Sequence, residues 1–355
     1  MAAVVATTLQ SFVDLDQLLS SFSDTVASKF SVEAATVTHC TAASITLAVA
    51  AAICARSPDM VARLPVEAER NVVLIQRPHV VNYGQSILQA IRLSGALPRV
   101  IGDANGCTEG ELAQALGQDD LCCLLLVESR LCGPGAVATD RAVVLAEQLG
   151  VPSVLDAAAQ DLRLRDVLQN HASLTLISPQ KYLAGPTAGL VLGRKVLVDA
   201  LNGQFKGIGR GMKPSKEAVL GTYAALRARE KQPATWHLAQ QAKMMAALVQ
   251  LGEVRGLACK EIPDPCGGPV SRLAIRVEET IVGLSAKTLA ARLRAGDPPI
   301  HLDDTRAGDG ILALELILLS PSEVRLVCDR ISEAMTRDSC LTRVSPFAEE
   351  LPNDD

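Results

Sequence analysis

The run Cys122-Cys-Leu-Leu-Leu-Val127 offers water no polar side chain on either face. A strand of that kind is buried on both sides, as happens in the middle of a parallel sheet covered by helices. The surrounding chain repeats the theme. Val32–Thr38, Asn71–Ile75, Arg99–Ile101, Ser153–Leu155, Leu174–Ile177 and Leu190–Leu192 read as strands, and Ala42–Ala55, Tyr83–Leu93, Glu109–Leu116 and Asp140–Leu149 read as helices between them. Strand and helix in alternation predict an α/β fold, a mostly parallel sheet wrapped by helices. Ahead of it, residues 9–30 carry Leu, Phe and Val at helical spacing, so residues 1–30 form a helical N-terminal segment. Ala42–Ala55 is apolar enough to be buried but too short and too interrupted to span a membrane.

The texture changes after Gly193. Asn202–Ser215 is a glycine-rich basic loop that opens into a helix over Lys216–Arg229, and Trp236–Leu251 is a longer helix. The strands Ser271–Val277 and Gly310–Leu316 then alternate with the helices Ser285–Arg294 and Ser322–Arg337. The expected organisation is a large α/β domain over 31–229, a smaller α+β domain over 230–345, and an acidic, disordered tail over 346–355.

Ligands of a parallel sheet gather at the carboxyl ends of its strands. Thr38, His79, Asp156 and Lys181 all fall at such ends or just beyond them. Each alone has a plainer reading: a strand end, a satisfied loop histidine, a helix cap, a solvated lysine. Together on one rim they supply what pyridoxal 5'-phosphate requires. Lys181 is the amine for an imine, and Asp156, 25 positions earlier, is the acid for the pyridine nitrogen. Ser178, Thr38, Cys40 and Thr41 line a phosphate site at the start of a helix, and His79 lies flat on the ring. The five histidines are scattered and none sits at ligand spacing, so no metal site is expected. No GxGxxG follows the first strand, so a dinucleotide site is not expected either.

With 34 basic and 39 acidic residues the formal charge is -5, which gives no general attraction to nucleic acid. Ten cysteines scattered through a long chain point to free thiols in a reducing compartment. The N-terminus lacks the basic region of a signal peptide, and a cytoplasmic protein with no membrane association is expected.

Several segments together carry a family resemblance. They are Phe12-Val-Asp-Leu-Asp16, Glu33-Ala-Ala-Thr-Val-Thr38, Leu155-Asp-Ala-Ala-Ala-Gln160, Lys181-Tyr-Leu-Ala-Gly-Pro-Thr-Ala-Gly189, Gly207-Ile-Gly-Arg-Gly-Met-Lys213 and Leu293-Arg-Ala-Gly-Asp-Pro-Pro-Ile300. With them the chain resembles the selenocysteine-synthase-like group of fold-type I pyridoxal-phosphate enzymes, which includes the seryl-tRNA selenium transferase and D-glucosaminate-6-phosphate ammonia-lyases. The resemblance implies that Lys181 carries the cofactor, that Asp156 faces the pyridinium, and that Arg210 lies near phosphate or substrate. It also implies a homodimer or larger homo-oligomer. Where similar chains read Ser-Gly-Ala-Ala this one has His39-Cys-Thr-Ala42, and Arg-Gly-His has become Arg77-Pro-His79. Pro179 replaces a common glycine two residues before the lysine. The arginine common after Pro-Pro-Ile is replaced by His301, with Arg306 a little later. Arg77, Arg210 and Arg306 are therefore the candidates for holding a substrate.

The leading expectation is a lyase that removes the α-proton of an amino acid, a sugar-derived one by resemblance, and expels its β-hydroxyl to give a 2-oxo acid and ammonia. Lys181 serves as the base. One alternative is selenium transfer to seryl-tRNA, which the negative charge does not favour. Another is a diverged, weakly active or inactive paralogue that acts as an oligomeric protein, for which the altered turns and the short stretch before Phe12 speak.

Overall fold

A computed structural model describes residues 2–336 apart from 56, 67–69, 234 and 266, so the expected tail over 346–355 lies outside the described residues. The chain divides into two compact units. Among the described residues, the first takes in those up to 233 with those of 265–269, and the second those of 235–264 and 270–336.

The first unit begins with α1 (Ala2–Leu9) and α2 (Leu15–Phe30), a pair of helices separated at Asp14, whose carboxylate caps the amides of Asp16 and Gln17. In chain order there follow β1 (Ala34–Thr38), α3 (Thr41–Cys54), β2 (Val72–Gln76), α4 (Ile87–Arg92), β3 (Leu97–Ile101), α5 (Glu109–Leu116), β4 (Leu121–Val127), α6 (Thr139–Gln148), β5 (Ser153–Asp156), α7 (Leu164–Leu168), β6 (Leu174–Ile177), β7 (Gly189–Gly193), α8 (Lys195–Gly203) and α9 (Lys216–Glu230). Among the described residues the strands form a seven-stranded sheet in the order β1-β7-β6-β5-β4-β2-β3. The pairs from β6 to β3 are parallel, whereas β7 is antiparallel to both β1 and β6. All strands except β7 consequently run the same way, and the ends of β1, β2, β5 and β6 share one rim with the start of β7.

The apolar run predicted as a central strand is β4, buried at every position. Beside the sheet lies α3, in which every residue from Ala43 to Cys54 is buried. Its many alanines let sheet and helix approach closely, and its first turn opens onto the rim. Three expectations shift. The helix expected from Tyr83 starts only at Ile87, because Asn82 accepts the Gly84 amide in a tight turn and Gly84 has a φ of 101°. The loop expected over Asn202–Ser215 is wound into two 3-10 turns, Gln204–Lys206 and Ile208–Met212, packed on α3. The helix expected to begin at Ala42 starts one residue earlier, at Thr41, with Cys40 as its cap.

The second unit holds α10 (Trp236–Gly252), β8 (Leu257–Ile262), β9 (Arg272–Val277), α11 (Glu279–Val282), α12 (Ala286–Arg294), β10 (Ile311–Leu314) and α13 (Pro321–Thr336). An antiparallel sheet in the order β10-β9-β8 packs against α10 and α12, and α13 packs on those two helices. β8 was not expected from the sequence. Its residues are mostly exposed or half-buried, and Lys260 and Glu261 mask the apolar pattern.

The β1–β7 seam is tightest at Gly189, paired with Thr38. A Cβ there would lie 2.1 Å from Ser44 Oγ, 2.5 Å from Thr38 Oγ1 and 2.8 Å from the Cys40 carbonyl. Gly189→Ala should cost about 2–3 kcal/mol in chemical denaturation. The same change made in a Ser44→Ala background should cost measurably less, because the nearest obstructing atom is gone.

Candidate active site

The turn that leaves β1 is held from several directions. Thr38 is fully buried, and its hydroxyl lies 2.9 Å from the Cys40 carbonyl and 2.7 Å from Ser44 Oγ. It braces the turn from within, and its single proton is engaged there rather than offered to an outside oxygen. Cys40 caps α3, its Sγ accepting the Ala43 amide at 3.4 Å. The helix is 14 residues long, and its first amides, those of Thr41 and Ala42, have no partner within the helix. They form its positive end, a place suited to an anion. The half-buried Thr41 has its hydroxyl 3.4 Å from the Ile177 carbonyl, which links the turn to the end of β6.

The Arg210 segment meets the same turn. The His39 amide donates to the Met212 carbonyl at 2.9 Å, and a Cβ at Gly209 would lie 2.6 Å from Leu47 Cδ2 of α3. The exposed Arg210 is thus carried on a turn fixed to the anion site.

Asp156 ends β5 and is buried. Burial pushes its carboxyl up to about 6, while the Ala158 amide, donating to Oδ1 at 3.1 Å, and the Lys181 charge work against the shift. Ser178, buried just past β6, donates its amide to the Ala158 carbonyl at 3.0 Å. The lysine turn begins there. The Lys181 amide donates to the Ser178 carbonyl at 3.2 Å, the Ala184 amide to the Lys181 carbonyl at 3.0 Å, and the Gly185 amide to the Pro179 carbonyl at 2.8 Å. Pro179 is accommodated because its own carbonyl, not an amide, is what the turn requires. The Lys181 side chain is exposed.

His79 is buried in the 3-10 turn after β2, and its Nδ1 has no hydrogen-bond partner among the described residues. Burial lowers its pKa to about 4, so the ring is neutral and flat at ordinary pH. Arg77 opens the same turn and is exposed. Arg306 belongs to the second unit, where its Nε bonds Asp309 at 3.2 Å.

One residue was missed in the sequence. Tyr83 lies in the loop after β2, and burial followed by the charges of Asp156 and Cys40 pushes its phenol up to about 12. Those neighbours bring it to the rim beside the anion turn and the buried acid. A tyrosine four residues past the candidate histidine, in a chain with three tyrosines in all, was the available signal. No group of three or more His, Cys, Asp and Glu among the described residues is placed to hold a metal ion.

An exposed amine, a buried acid with one amide donor, an orphaned imidazole and a helix start suited to an anion fit a carbonyl cofactor bearing a phosphate.

Comparison with known proteins points the same way. The chain is 30% identical over 328 residues to D-glucosaminate-6-phosphate ammonia lyase of Salmonella typhimurium, covering 91% of this chain and 86% of that one. It is 32% identical over 328 residues to a 5'-C-glycyluridine monooxygenase-decarboxylase of a Streptomyces species, covering 91% and 82%. An L-seryl-tRNA(Sec) selenium transferase of Aquifex aeolicus is 26% identical over 271 residues, covering 66% and 59%. A solved structure of D-glucosaminate-6-phosphate ammonia-lyase superposes with a TM-score of 0.83 at 29% identity, over 94% of this chain and 89% of that one. No family model matches the chain.

The buried acid has a testable signature. Its folded pKa lies above the unfolded value, so its protonated form is favoured by folding, and the favourable contribution is lost as pH rises through about 6. In ligand-free protein, Asp156→Asn should raise stability at pH 8 by about 2 kcal/mol. Denaturation at a series of pH values should show that gain shrinking as pH falls through 6 toward 4.

Proposed function

The chain belongs to the selenocysteine-synthase-like group of fold-type I pyridoxal-phosphate enzymes that includes D-glucosaminate-6-phosphate ammonia lyase, and on that premise we propose that it is an ammonia lyase for a sugar-derived, phosphorylated β-hydroxy amino acid. The observation that carries the reading is the junction of the Lys181 turn with the buried Asp156, through the Ser178 amide and the Ala158 carbonyl. When bound, pyridoxal 5'-phosphate supplies the electron sink for a bond broken at an amino acid's Cα.

The chain's own groups divide the remaining work. Lys181 Nζ is the amine that would hold the cofactor's carbonyl, and once free it takes the proton from the substrate Cα. Asp156 presents a carboxylate where a pyridinium nitrogen would bind, and the new partner offsets the desolvation that raises its pKa. The neutral ring of His79 offers a flat apolar face. The α3 start and Thr41 would hold the cofactor phosphate, with Thr38 and Cys40 shaping the turn and the Ser178 hydroxyl offered to the same group. Arg77 and Arg210, both exposed, are suited to the carboxylate and the distal phosphate of the substrate. Loss of the β-hydroxyl as water, followed by hydrolysis, leaves a 2-oxo acid and ammonia.

The same reading makes the active enzyme a cytoplasmic homo-oligomer. Cys54, Cys107, Cys122, Cys123, Cys259 and Cys328 are free thiols, which supports a reducing compartment. Among the described residues no helix is long and apolar enough to cross a membrane. Selenium transfer has less support, since the chain carries a net charge of -5. The similarity to the monooxygenase-decarboxylase favours a second reading, oxidative decarboxylation of an amino acid on the same cofactor.

Purified protein should show the visible absorbance of a lysine-bound pyridoxal phosphate and release ammonia from D-glucosaminate 6-phosphate or a related aldonate. Lys181→Ala should abolish the band and lower turnover by about a thousandfold or more. A band with no ammonia release, accompanied by oxygen uptake and carbon dioxide from an amino acid, would turn the assignment to the second reading. Absence of the band from the wild-type protein would remove both.

A further inference from the structure

The turn that follows Lys181 holds a strained residue. Ala184 has a φ of 52°, a left-handed backbone that is unfavourable for alanine and persists only where the surroundings enforce it. Part of that enforcement comes from α9. Gly221, Ala225 and Arg229 are spaced at i, i+4 and i+8, so they lie on one face of that helix. Arg229 donates through Nη2 to the Tyr182 carbonyl. The Ala225 methyl stands 3.2 Å from where a Cβ at Gly185 would lie, and a Cβ at Gly221 would lie 2.7 Å from Cγ and 3.0 Å from Cδ of Pro186. The stripe runs about 12 Å along the helix and meets residues 182, 185 and 186 in reverse order. The helix is held on other sides too. Val5 Cγ2 of α1 would be 3.4 Å from the same Cβ at Gly221, Lys216 Nζ donates to the Leu9 carbonyl at 3.3 Å, and Lys29 of α2 pairs with Glu230. Bulk added at Gly221 is therefore met by moving the turn rather than the helix.

We propose that Gly221, Ala225 and Arg229 form a positioning surface for Lys181, a face of α9 against which residues 182–186 are seated so that the lysine amine reaches a cofactor anchored at the start of α3. Backbone bonds within the turn fix its shape, and α9 fixes where that shape sits. Gly221 is the most sensitive of the three, because the Pro186 ring occupies the space that any side chain there would need. Arg229 is the least clean to test. Near it is Asp161, 3% exposed, whose carboxyl burial pushes up to about 7 while the Leu183 amide and the charges of Arg229 and Lys181 work against the shift, so removing the guanidinium changes more than the turn. Gly221 carries no charge and acts by volume alone. The role rests on the reading of Lys181 as the cofactor-bearing residue.

The measurement is the titration of cofactor-stripped protein with pyridoxal 5'-phosphate, reading the half-saturation of the visible lysine-bound band, which needs no turnover. Gly221→Ala should weaken it by about tenfold. Adding Pro186→Ala, which removes the obstructing Cγ and Cδ, should bring it back to within about twofold of Pro186→Ala alone. In a Lys181→Ala background, with binding of the same compound followed by calorimetry, Gly221→Ala should change the affinity by less than about twofold, because the turn no longer delivers an amine. Equal weakening in both backgrounds, or a loss that Pro186→Ala does not relieve, makes Gly221 a packing residue only and overturns the proposal. An unchanged half-saturation in folded Gly221→Ala overturns it as well. If Gly221→Ala does not fold, Ala225→Gly takes its place with a weakening of about threefold expected, and no change there overturns the proposal. All of these outcomes leave Lys181 as the anchor, whereas a wild-type protein with no band overturns that reading too.

Discussion

The site depends on the antiparallel insertion of β7 between β1 and β6. Because β7 runs against both neighbours, β1 ends at the same rim as β6, and the anion turn and the lysine turn are brought to one side of the sheet. Two strand spacings separate them, about 10 Å, a span comparable to a small phosphorylated ring. The register is set where Thr38 faces Gly189 and Ile177 faces Leu190. Gly189 has no side chain to hold apart Thr38, Cys40 and Ser44, so the seam closes, and the start of α3 is pinned at a fixed distance from Ser178. A reversed or slipped β7 would move every residue of one strand to the other face and separate the anion turn from the lysine turn.

Upon this frame lie polar groups that the fold alone does not favour. Asp156, Asp161 and the His79 ring are buried with fewer partners than burial demands, and each shifts toward its neutral form. Groups of this kind cluster where a ligand will supply what the chain withholds. The large apolar core offsets their cost. α3 contributes an unbroken buried stretch, and the sheet contributes β4, whose side chains are almost wholly removed from water. A helix that is apolar on every side also leaves its start free of competing charges, which keeps the positive end of its dipole available.

Much of this frame is legible in the sequence because it follows from periodicity. The apolar run of β4, the alternation of strand and helix, and the strand-end positions of Asp156 and Lys181 all survive as local patterns. What escaped had no local pattern. β8 carries Lys260 and Glu261 between half-buried residues, so its alternation is weak. The loop Asn202–Ser215 reads as flexible from its glycines, but Gly207 and Gly209 are small because Val61, Leu47 and the Gln204 backbone press on them. Tyr83 and Asp161 become visible only when β2, β5 and α9 are assembled, since their neighbours are distant in sequence. Thr38 shows the reverse error. Its position at a strand end was read correctly, but the direction of its hydroxyl is decided by Ser44 and Cys40, which the sequence places nearby without saying how they fold back.

The distribution of bonds at the rim separates two kinds of residue. Thr38, Cys40, Ser178 and the lysine turn are tied into the sheet and α3 by backbone and side-chain hydrogen bonds. Arg77 and Arg210 stand exposed on short turns that are themselves fixed. The first group is part of the scaffold, and changing it changes the fold. The second stands outside the packing, so it can change with little effect on the fold. The bonded half of the rim thus follows from the fold, whereas Arg77 and Arg210 are exposed cations on fixed turns that packing leaves free to vary.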